Sequence, residues 1–431
     1  MKGPFRRFAT ILARPLLRQA GVYTASNIVG RAIPFLLLPV LTRYLSPTDY
    51  GIVSMFLLVA LILDPFISLG FAGAVTVKYY DKATDLPAYL GTGALMTVAL
   101  AIPVELLVFL LRDPLSEITQ VPAEWLLLVV PLIVARALGA VLLTLLRVRE
   151  QAVLFAVIQN VQSAGLISLS LLFVVGFGRE WRGRLEAELI AWVAFATAGV
   201  VALRRSGWLR LAFVRPYVRH IAGFGVPLIP HMLGAVLMVQ TDRLLLTNIV
   251  GVDETGLYTV GYQLALLVDL VAVSFNAAYS PWVFRKLAAA DDRTKARLVR
   301  YTYLYWIGMA LLAVLVAVAM PWLAERLLGG GFAESGRYVG WFTLGFLFNG
   351  MYYMVTNYIF YAQRTRWLAM ATITVAVIHI PLTYLLIQLN GGIGAAQATA
   401  ASLGLSFLFT WIVSQRVYPM PWFGSRTNDP D

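Results

Sequence analysis

The sequence predicts an all-α integral membrane protein with about twelve transmembrane helices. Of its 431 residues, 60% are hydrophobic and only 13% are charged, whereas about half of an ordinary soluble domain is apolar. The apolar residues lie in runs of about 20, which is the length that an α-helix needs to cross a bilayer. These runs are too long for the strands of a membrane β-barrel, so helices are the predicted spanning elements.

Twelve apolar segments along the chain have this length. Their predicted limits are 20–43, 50–76, 88–111, 124–147, 152–176, 187–203, 221–249, 257–283, 301–324, 337–361, 367–388 and 393–414. The sixth is the shortest. The predicted organisation is a basic N-terminal segment (1–19), an N-terminal lobe (20–203), a basic linker (204–220), a C-terminal lobe (221–414) and a tail (415–431).

The distribution of Lys and Arg predicts the orientation in the membrane. If the N-terminus is inside, the inner loops and tails hold 24 of the 34 basic residues and the outer loops hold 7. Basic residues concentrate in cytoplasmic loops, so both termini are predicted to be cytoplasmic. The first 19 residues lack a signal-peptide pattern and are expected to lie along the inner surface.

An internal repeat relates the two halves of the chain. Residues 42–51, "TRYLSPTDYG", align with residues 247–256, "TNIVGVDETG", at a shift of 205. The same shift places Asp64 on Asp269. The repeat predicts two six-helix halves in parallel orientation, and in transporters built this way the substrate site lies between the halves.

Two arginines lie near mid-depth in segments of the N-terminal half, Arg31 and Arg136. A charge at this depth costs at least about 2.5–3.5 kcal/mol on insertion scales, so it usually faces a partner or a wet cavity. Asp64 is the only comparably central acid predicted in that half. Asn27 shares a helix face with Arg31, because the two are four residues apart. The pattern predicts a cationic cavity suited to an anion.

The seventh segment contains Asp242 and Arg243 side by side. Neighbouring residues differ by about 100° around a helix, so these two are not expected to pair with each other. His231 and Asp242 are eleven residues apart and are expected to share a face. The residues expected to couple to an ion or to balance charge are Asp64, Asp242, Asp269 and His231.

Polar neutral side chains complete the expected site. Amides and hydroxyls also join helices by hydrogen bonds, so for these residues a structural role stays open. The same applies to His379 in the eleventh segment. The expected substrate-binding set is Arg31, Arg136, Arg243, Asn27, Gln159, Asn349 and Tyr353.

Several classes of function are not supported by the sequence. The chain has no Cys, no phosphate-binding Walker loop, no G-x-S-x-G elbow and no His pair at zinc-ligand spacing. No catalytic residue, metal site or cofactor is therefore predicted. The net charge of +12 is attributed to cytoplasmic loops rather than to nucleic-acid binding. A driving force is expected from an ion gradient, the membrane potential or consumption of the product outside.

Two stretches carry a resemblance to a known family. Residues 25–52, "ASNIVGRAIPFLLLPVLTRYLSPTDYGI", and 240–264, "QTDRLLLTNIVGVDETGLYTVGYQL", resemble the Wzx-type polysaccharide flippases of the multidrug/oligosaccharidyl-lipid/polysaccharide exporter superfamily. The resemblance covers about residues 15–415. It implies two lobes that form a V around a central cavity, with Arg31 and Arg243 at positions of charged cavity sites.

The resemblance also implies a function. Such flippases move undecaprenyl-diphosphate-linked oligosaccharide across the bacterial inner membrane by alternating access, beside glycosyltransferases and a polymerase. The product is an O-antigen or an exopolysaccharide. The chain lacks two C-terminal helices that lipid II flippases have, which counts against a peptidoglycan precursor as cargo.

Two alternatives stay open. A cation-coupled multidrug antiporter of the same superfamily is expected to favour acidic over basic cavity residues. A membrane polysaccharide polymerase or ligase needs a substantial outer loop, whereas the predicted outer loops are short. The coupling ion, whether proton, sodium or chloride, is not specified by the sequence, and two lobes in one chain make a monomer sufficient.

Overall fold

The computed structural model describes residues 37–288 and 291–423, which are predominantly helical. The chain divides into two compact units, with the boundary between Gln240 and Thr241. In the first unit the helices are α1 (Pro47–Ser68), α2 (Phe71–Tyr79), α3 (Leu86–Leu110), α4 (Arg112–Thr119), α5 (Ala123–Leu126), α6 (Val129–Val148), α7 (Ala152–Leu171), α8 (Glu180–Arg205) and α9 (Arg215–Gly225). Helix α10 (Ile229–Ile249) crosses the boundary. The second unit continues with α11 (Val252–Leu287), α12 (Asp292–Leu327), α13 (Gly336–Tyr361), α14 (Thr365–Asn390) and α15 (Gly392–Val417).

Within the described residues, nine helical stretches are long and apolar enough to cross a membrane. Helices α10 and α13 have 21 and 26 residues, which is also the length of a span, but they are not among the nine. The first predicted segment, 20–43, lies mostly outside the described residues. The predicted all-α membrane fold is confirmed.

The turn in "LSPTDYG" is a helix start. Ser46 Oγ accepts the backbone N–H of Asp49 at 3.1 Å, and Asp49 Oδ2 accepts the backbone N–H of Ser46 at 2.7 Å. Pro47 occupies the first turn, where its missing N–H costs nothing. This reciprocal capping box fixes the start of α1.

The predicted segment 50–76 is not one continuous helix, which corrects the expectation. Helix α1 ends at Ser68 and α2 begins at Phe71. Leu69 and Gly70 between them have φ of 46° and 59°, and two successive residues in the left-handed region interrupt an α-helix. Apolar composition alone does not reveal such a break.

The sixth segment is longer than predicted. Helix α8 begins at Glu180 and has 26 residues, so it covers seven residues that were assigned to an outer loop. Its first turns contain several charged side chains, so a search for apolar runs did not include them in the predicted segment. Residues 184 and 188 therefore lie on the helix and not in a loop or at its edge.

The predicted linker packs against the first unit. The backbone N–H of Arg210 donates to Pro87 O at 3.0 Å, and Thr92 Oγ1 donates to Ala212 O at 2.7 Å. Gly91 permits this contact, since a Cβ there would lie 1.9 Å from Arg210 O. Residues 210–212 are thus held along the first turns of α3.

The second unit is built around α11, α13 and α15. Small residues allow close packing, as at Gly345, where a Cβ would approach Ala400 Cα to 3.3 Å. Membrane helices associate through such small residues because no hydrophobic force drives them together in lipid. Helices α11 and α12 have 36 residues each and are the longest of the described elements.

Candidate functional site

Asp242 is the centre of a buried polar cluster in the second unit. The residue is 2% exposed. Its carboxylate accepts hydrogen bonds from Tyr258 Oη on α11 at 2.7 Å, from Thr383 Oγ1 on α14 at 3.2 Å and from Thr399 Oγ1 on α15. Four helices therefore meet at one carboxylate, which α10 supplies, and each of the other three supplies a hydrogen-bond donor to it.

His379 on α14 completes this cluster. Its Nε2 lies 2.8 Å from Asp242 Oδ1, and both side chains are 3% exposed. The ring's other nitrogen, Nδ1, lies 2.8 Å from Ser402 Oγ on α15. The imidazole and the carboxylate form an ion pair when the imidazole is protonated. Gain or loss of a proton changes the charge of the cluster by one.

Arg243 shares Tyr258 with the Asp242 cluster but otherwise has its own neighbours. Its guanidinium carbon lies 5.1 Å from the ring centre of Tyr262 and 5.8 Å from that of Tyr258. Its Nε is 3.4 Å from Thr259 Oγ1, and the residue is 7% exposed. Cation–π contacts hold a buried arginine without neutralising it. These neighbours agree with the separation of Asp242 and Arg243 around the helix.

The expected common face of His231 and Asp242 does not give them a common environment. His231 is exposed, whereas Asp242 is buried. The spacing of two residues along a helix gives the direction of their side chains around the helix axis. Their burial depends on which elements pack around each end of α10. His231 is close to the start of α10, directly after the 3₁₀ turn Val226–Leu228.

A second polar group joins α11 to α13. Asn349 Nδ2 donates to Asp269 Oδ1 at 2.8 Å and to Tyr353 Oη at 3.0 Å. About two turns further along these helices, Asn357 Nδ2 donates to Asn276 Oδ1 at 2.9 Å. The predicted residues Asp269, Asn349 and Tyr353 are thus brought together. Asp269 and Asn349 are half-buried, which leaves part of their surface accessible.

In the first unit, Glu188 on α8 holds two arginines. Arg136 Nη2 on α6 donates to Glu188 Oε1 at 2.6 Å, and Arg184 Nη1 donates to Glu188 Oε2 at 2.8 Å. Trp192 Nε1 also donates to Oε1, at 3.0 Å. The expectation that Arg136 lacks a nearby counter-charge is therefore wrong. The cluster of Arg136, Arg184 and Glu188 keeps a formal charge of +1.

Glu188 and Arg184 are residues that sequence reasoning missed. Both were assigned to a loop or a helix edge because the predicted segment began at residue 187. The i, i+4 spacing of Arg184 and Glu188 was the available signal, since it places both on one helix face. The ion pair between Glu188 and Arg136 depends on the packing of α6 against α8 and has no signal in the sequence.

The remaining predicted residues are less closely engaged. Asp64 on α1 is half-buried and accepts a hydrogen bond from Ser68 Oγ at 3.2 Å. Gln159 is half-buried on α7. Asn27 and Arg31 lie outside the described residues. In the part of the chain that the structure describes, no group of three or more His, Asp or Glu side chains is arranged to hold a metal ion.

Curated proteins similar to this chain come from two bacteria. An uncharacterised membrane protein of Haemophilus influenzae is 24% identical over 376 residues, which cover 85% of this chain and 89% of that protein. The Lsg locus putative protein 1 of the same organism is 21% identical, with coverage of 85% and 90%. The succinoglycan biosynthesis transport protein ExoT of Rhizobium meliloti is 23% identical over 271 residues, or 62% of this chain and 53% of that protein.

Two solved structures show the same fold. The lipid II flippase MurJ, in an inward closed conformation, matches with a TM-score of 0.73 at 15% identity, covering 91% of this chain and 87% of MurJ. An inward-facing multidrug resistance MATE family transporter of the MOP superfamily matches with a TM-score of 0.71 at 11% identity, covering 90% and 94%. The likeness supports a multi-pass, all-helical membrane architecture.

The profile of the polysaccharide biosynthesis protein family matches residues 16–287, which is more than half of the chain. This range includes both stretches that carried the resemblance, the arginine cluster on α6 and α8, and Asp242 with Arg243. The chain belongs to the polysaccharide biosynthesis protein family.

Proposed function

We propose that this protein is a flippase for undecaprenyl-diphosphate-linked oligosaccharide, working by alternating access in the bacterial inner membrane with both termini in the cytoplasm. The product would be a surface polysaccharide, either an O-antigen or an exopolysaccharide. Support comes from the family, from a relative named as a succinoglycan biosynthesis transport protein, and from the fold shared with a lipid II flippase. Glycosyltransferases and a polymerase are the proposed partners.

The observation that carries this proposal is the net positive charge held within apolar spans of the first unit. Arg136 and Arg184 share one carboxylate, that of Glu188. Arginine binds phosphate in a forked geometry, and a diphosphate is a concentrated anion. Arg136 Nε is buried and has no hydrogen-bond partner among the described residues, so an anion that reached it would supply the missing acceptor. Arg31 and Arg243 are proposed to contribute to the same recognition.

The Asp242 cluster is proposed to couple transport to an ion. A buried carboxylate beside an imidazole changes charge when it gains or loses a proton, and such intramembrane groups mark ion pathways. Asp64, Asp269 and His231 are proposed to balance charge as the cargo passes. Proton, sodium and chloride remain the candidate ions.

The neutral polar residues are proposed to contact the sugars. Asn349 and Tyr353 lie together on α13, and Gln159 is half-buried on α7. Amides and aromatic hydroxyls bind sugar hydroxyls through hydrogen bonds, so they suit a large polar cargo. Asn27 is assigned the same role from its spacing to Arg31.

The test uses a strain that lacks this protein and is complemented with wild type or with Arg31→Ala, Arg136→Gln or Arg243→Ala. We expect wild type to restore surface glycan. Each variant is expected to reduce it while lipid-linked oligosaccharide accumulates in the cell. Arg112→Gln is the matched control, because the Arg112 side chain is 43% exposed on α4. Membrane levels of each variant are measured by immunoblot.

Normal surface glycan in the deletion strain, with no redundant exporter, would contradict the proposal. Full export with Arg31→Ala and Arg136→Gln would contradict the assigned diphosphate contacts while leaving the flippase function in place. The two failures are thus distinguishable.

A cation-coupled multidrug antiporter is the second candidate. It is favoured by the structural likeness to MATE transporters and by the acids Asp242 and Asp269 in the second unit. This candidate predicts that the deletion strain becomes more sensitive to cationic drugs and keeps its surface glycan. The family and the structural neighbours give no support to a polymerase or ligase.

A further inference from the structure

An apolar cleft lies between α3, α6 and α8 in the first unit. Its volume is about 760 Å³, which is in the usual range of small-molecule sites. Alanines form its buried floor: Ala101, Ala135 and Ala196 are 5–8% exposed. Valine, leucine and isoleucine side chains form most of the walls. A cleft with this lining fits a hydrocarbon chain.

The rim of the cleft is apolar and exposed. On its rim, Ile102 is 68% exposed, Val98 is 47% exposed and Val201 is 40% exposed. All three belong to α3 and α8, which are long and apolar enough to span the bilayer. Exposed apolar side chains on such helices contact acyl chains, so a lipid can enter the cleft sideways.

Glu105 is the one acidic or basic residue among those that line the cleft. Its Oε2 atom is buried and has no hydrogen-bond partner among the described residues. Ion pairs in residues 37–288 and 291–423 do not include Glu105. A carboxylate without a partner is costly in an apolar environment. A ligand that brings a positive charge would remove this cost.

The depth of Glu105 fits a lipid headgroup. The residue lies five positions before Leu110, where α3 ends, which corresponds to about 7.5 Å along the helix. A glutamate side chain at this distance can reach the polar region of the bilayer. The carboxyl group is therefore near one end of the span, and the apolar cleft continues toward the bilayer interior.

We propose that this cleft binds a phospholipid with a primary ammonium headgroup. One acyl chain would lie along Ala101, Ala135 and Ala196, and the ammonium would pair with Glu105. A carboxylate repels anionic phospholipids and also repels a polyprenyl diphosphate. The site is therefore separate from the proposed path of the transported lipid and does not depend on it.

The test measures lipid retention by native mass spectrometry on the purified full chain. The probes are phosphatidylethanolamine and phosphatidylglycerol with identical acyl chains. We expect wild type to retain phosphatidylethanolamine about tenfold better, which is the effect of one charge-assisted hydrogen bond. Glu105→Gln keeps the size of the side chain and is expected to abolish the preference.

Two further variants separate charge from shape. Glu117→Gln removes an exposed carboxylate on α4 and is expected to leave the preference unchanged. Ala135→Leu fills the cleft and is expected to lower retention of both lipids. Thermal melting of each variant checks that it is folded.

Three results would overturn the proposal. The first is equal retention of the two phospholipids by wild type. The second is an unchanged preference in Glu105→Gln. The third is displacement of phosphatidylethanolamine by polyprenyl diphosphate at a concentration below that of the phospholipid. This result would make the cleft a binding site for the polyprenyl chain of the cargo.

Discussion

Replacing Asp242 by alanine tests whether the buried cluster of the second unit is held together by its carboxylate. The substitution removes the acceptor for Tyr258, Thr383 and Thr399 and the counter-charge of His379. Not every donor is left unpaired. Thr399 Oγ1 also donates to Ala395 O at 3.1 Å, and Tyr258 Oη lies 3.2 Å from Thr399 Oγ1.

His379 Nε2 loses its partner, and Thr383 Oγ1 keeps only a long contact of 3.5 Å with His379 Nδ1. An unsatisfied buried polar group costs about 1–3 kcal/mol, which gives about 2–6 kcal/mol for the two. When the imidazole is protonated, breaking one side of this buried ion pair costs about 3–5 kcal/mol. We therefore expect Asp242→Ala to lower the free energy of unfolding by about 3–5 kcal/mol. Asp242→Asn keeps one acceptor oxygen and is expected to cost less.

The assay is unfolding of the purified protein in mixed micelles with increasing sodium dodecyl sulfate, followed by tryptophan fluorescence. A double-mutant cycle with His379→Ala isolates the interaction energy between the side chains of Asp242 and His379. The expected coupling energy is at least about 1 kcal/mol, since the two residues are in direct contact. Asp292→Ala is the control, because this side chain is 95% exposed. Additivity of the two single effects to within about 0.5 kcal/mol would refute the reasoning.

Three predictions concern the first unit. Glu188→Gln is expected to destabilise the protein by about 1–3 kcal/mol, less than a fully buried pair because Arg136 is 27% exposed. Gly91→Ala is expected to lower the free energy of unfolding by about 1–3 kcal/mol, since a Cβ would collide with Arg210 O. The Glu188→Gln and Gly91→Ala variants are both measured by unfolding in sodium dodecyl sulfate, as for Asp242→Ala. Partial burial lowers the pKa of His220 below 6.5, and the positive charge of Lys78 is the second cause. The unfolded state therefore binds more protons in this window, and stability is expected to fall as the pH is lowered through 6.5 in thermal melts at pH 5–8.

Matched variants accompany these measurements. Glu186→Gln removes a carboxylate whose one ion pair among the described residues is with Arg179, a side chain that is 55% exposed, and it should have little effect. Gly223→Ala adds a Cβ that meets nothing within 4 Å. His220→Asn should flatten the pH dependence. A larger effect from Glu186→Gln or Gly223→Ala, or an unchanged pH profile in His220→Asn, would contradict the corresponding argument.

Hydrophobic runs predicted most of the helices because a span must be long and apolar whatever it packs against. The same criterion failed where local geometry or charge mattered. It did not detect the two left-handed residues at Leu69 and Gly70, and it began the sixth segment seven residues late. The capping box at Ser46 and Asp49 was visible in the sequence, since its spacing is fixed.

The candidate site was predictable in its residue types but not in its pairings. A charged residue within an apolar run is recognisable from its insertion cost, which is how Arg136 and Asp242 were selected. Their partners, Glu188 and His379, are 52 and 137 positions away along the chain. Such pairings depend on which helices pack together, and helix periodicity contains no information about that.

The length of α11 and α12 has a mechanical consequence. Each helix has 36 residues, or about 54 Å at 1.5 Å per residue, whereas the hydrocarbon core is about 30 Å thick. The surplus carries Arg285, Lys286, Arg293, Lys295, Arg297 and Arg300 near the turn between the helices. A tilt of about 10° displaces the tip of a 54 Å rod by about 9 Å. If the helices tilt within the membrane, the ends that carry these charges move farther than the parts near the pivot, and a spectroscopic label on Arg285 or Arg293 would record the tilt.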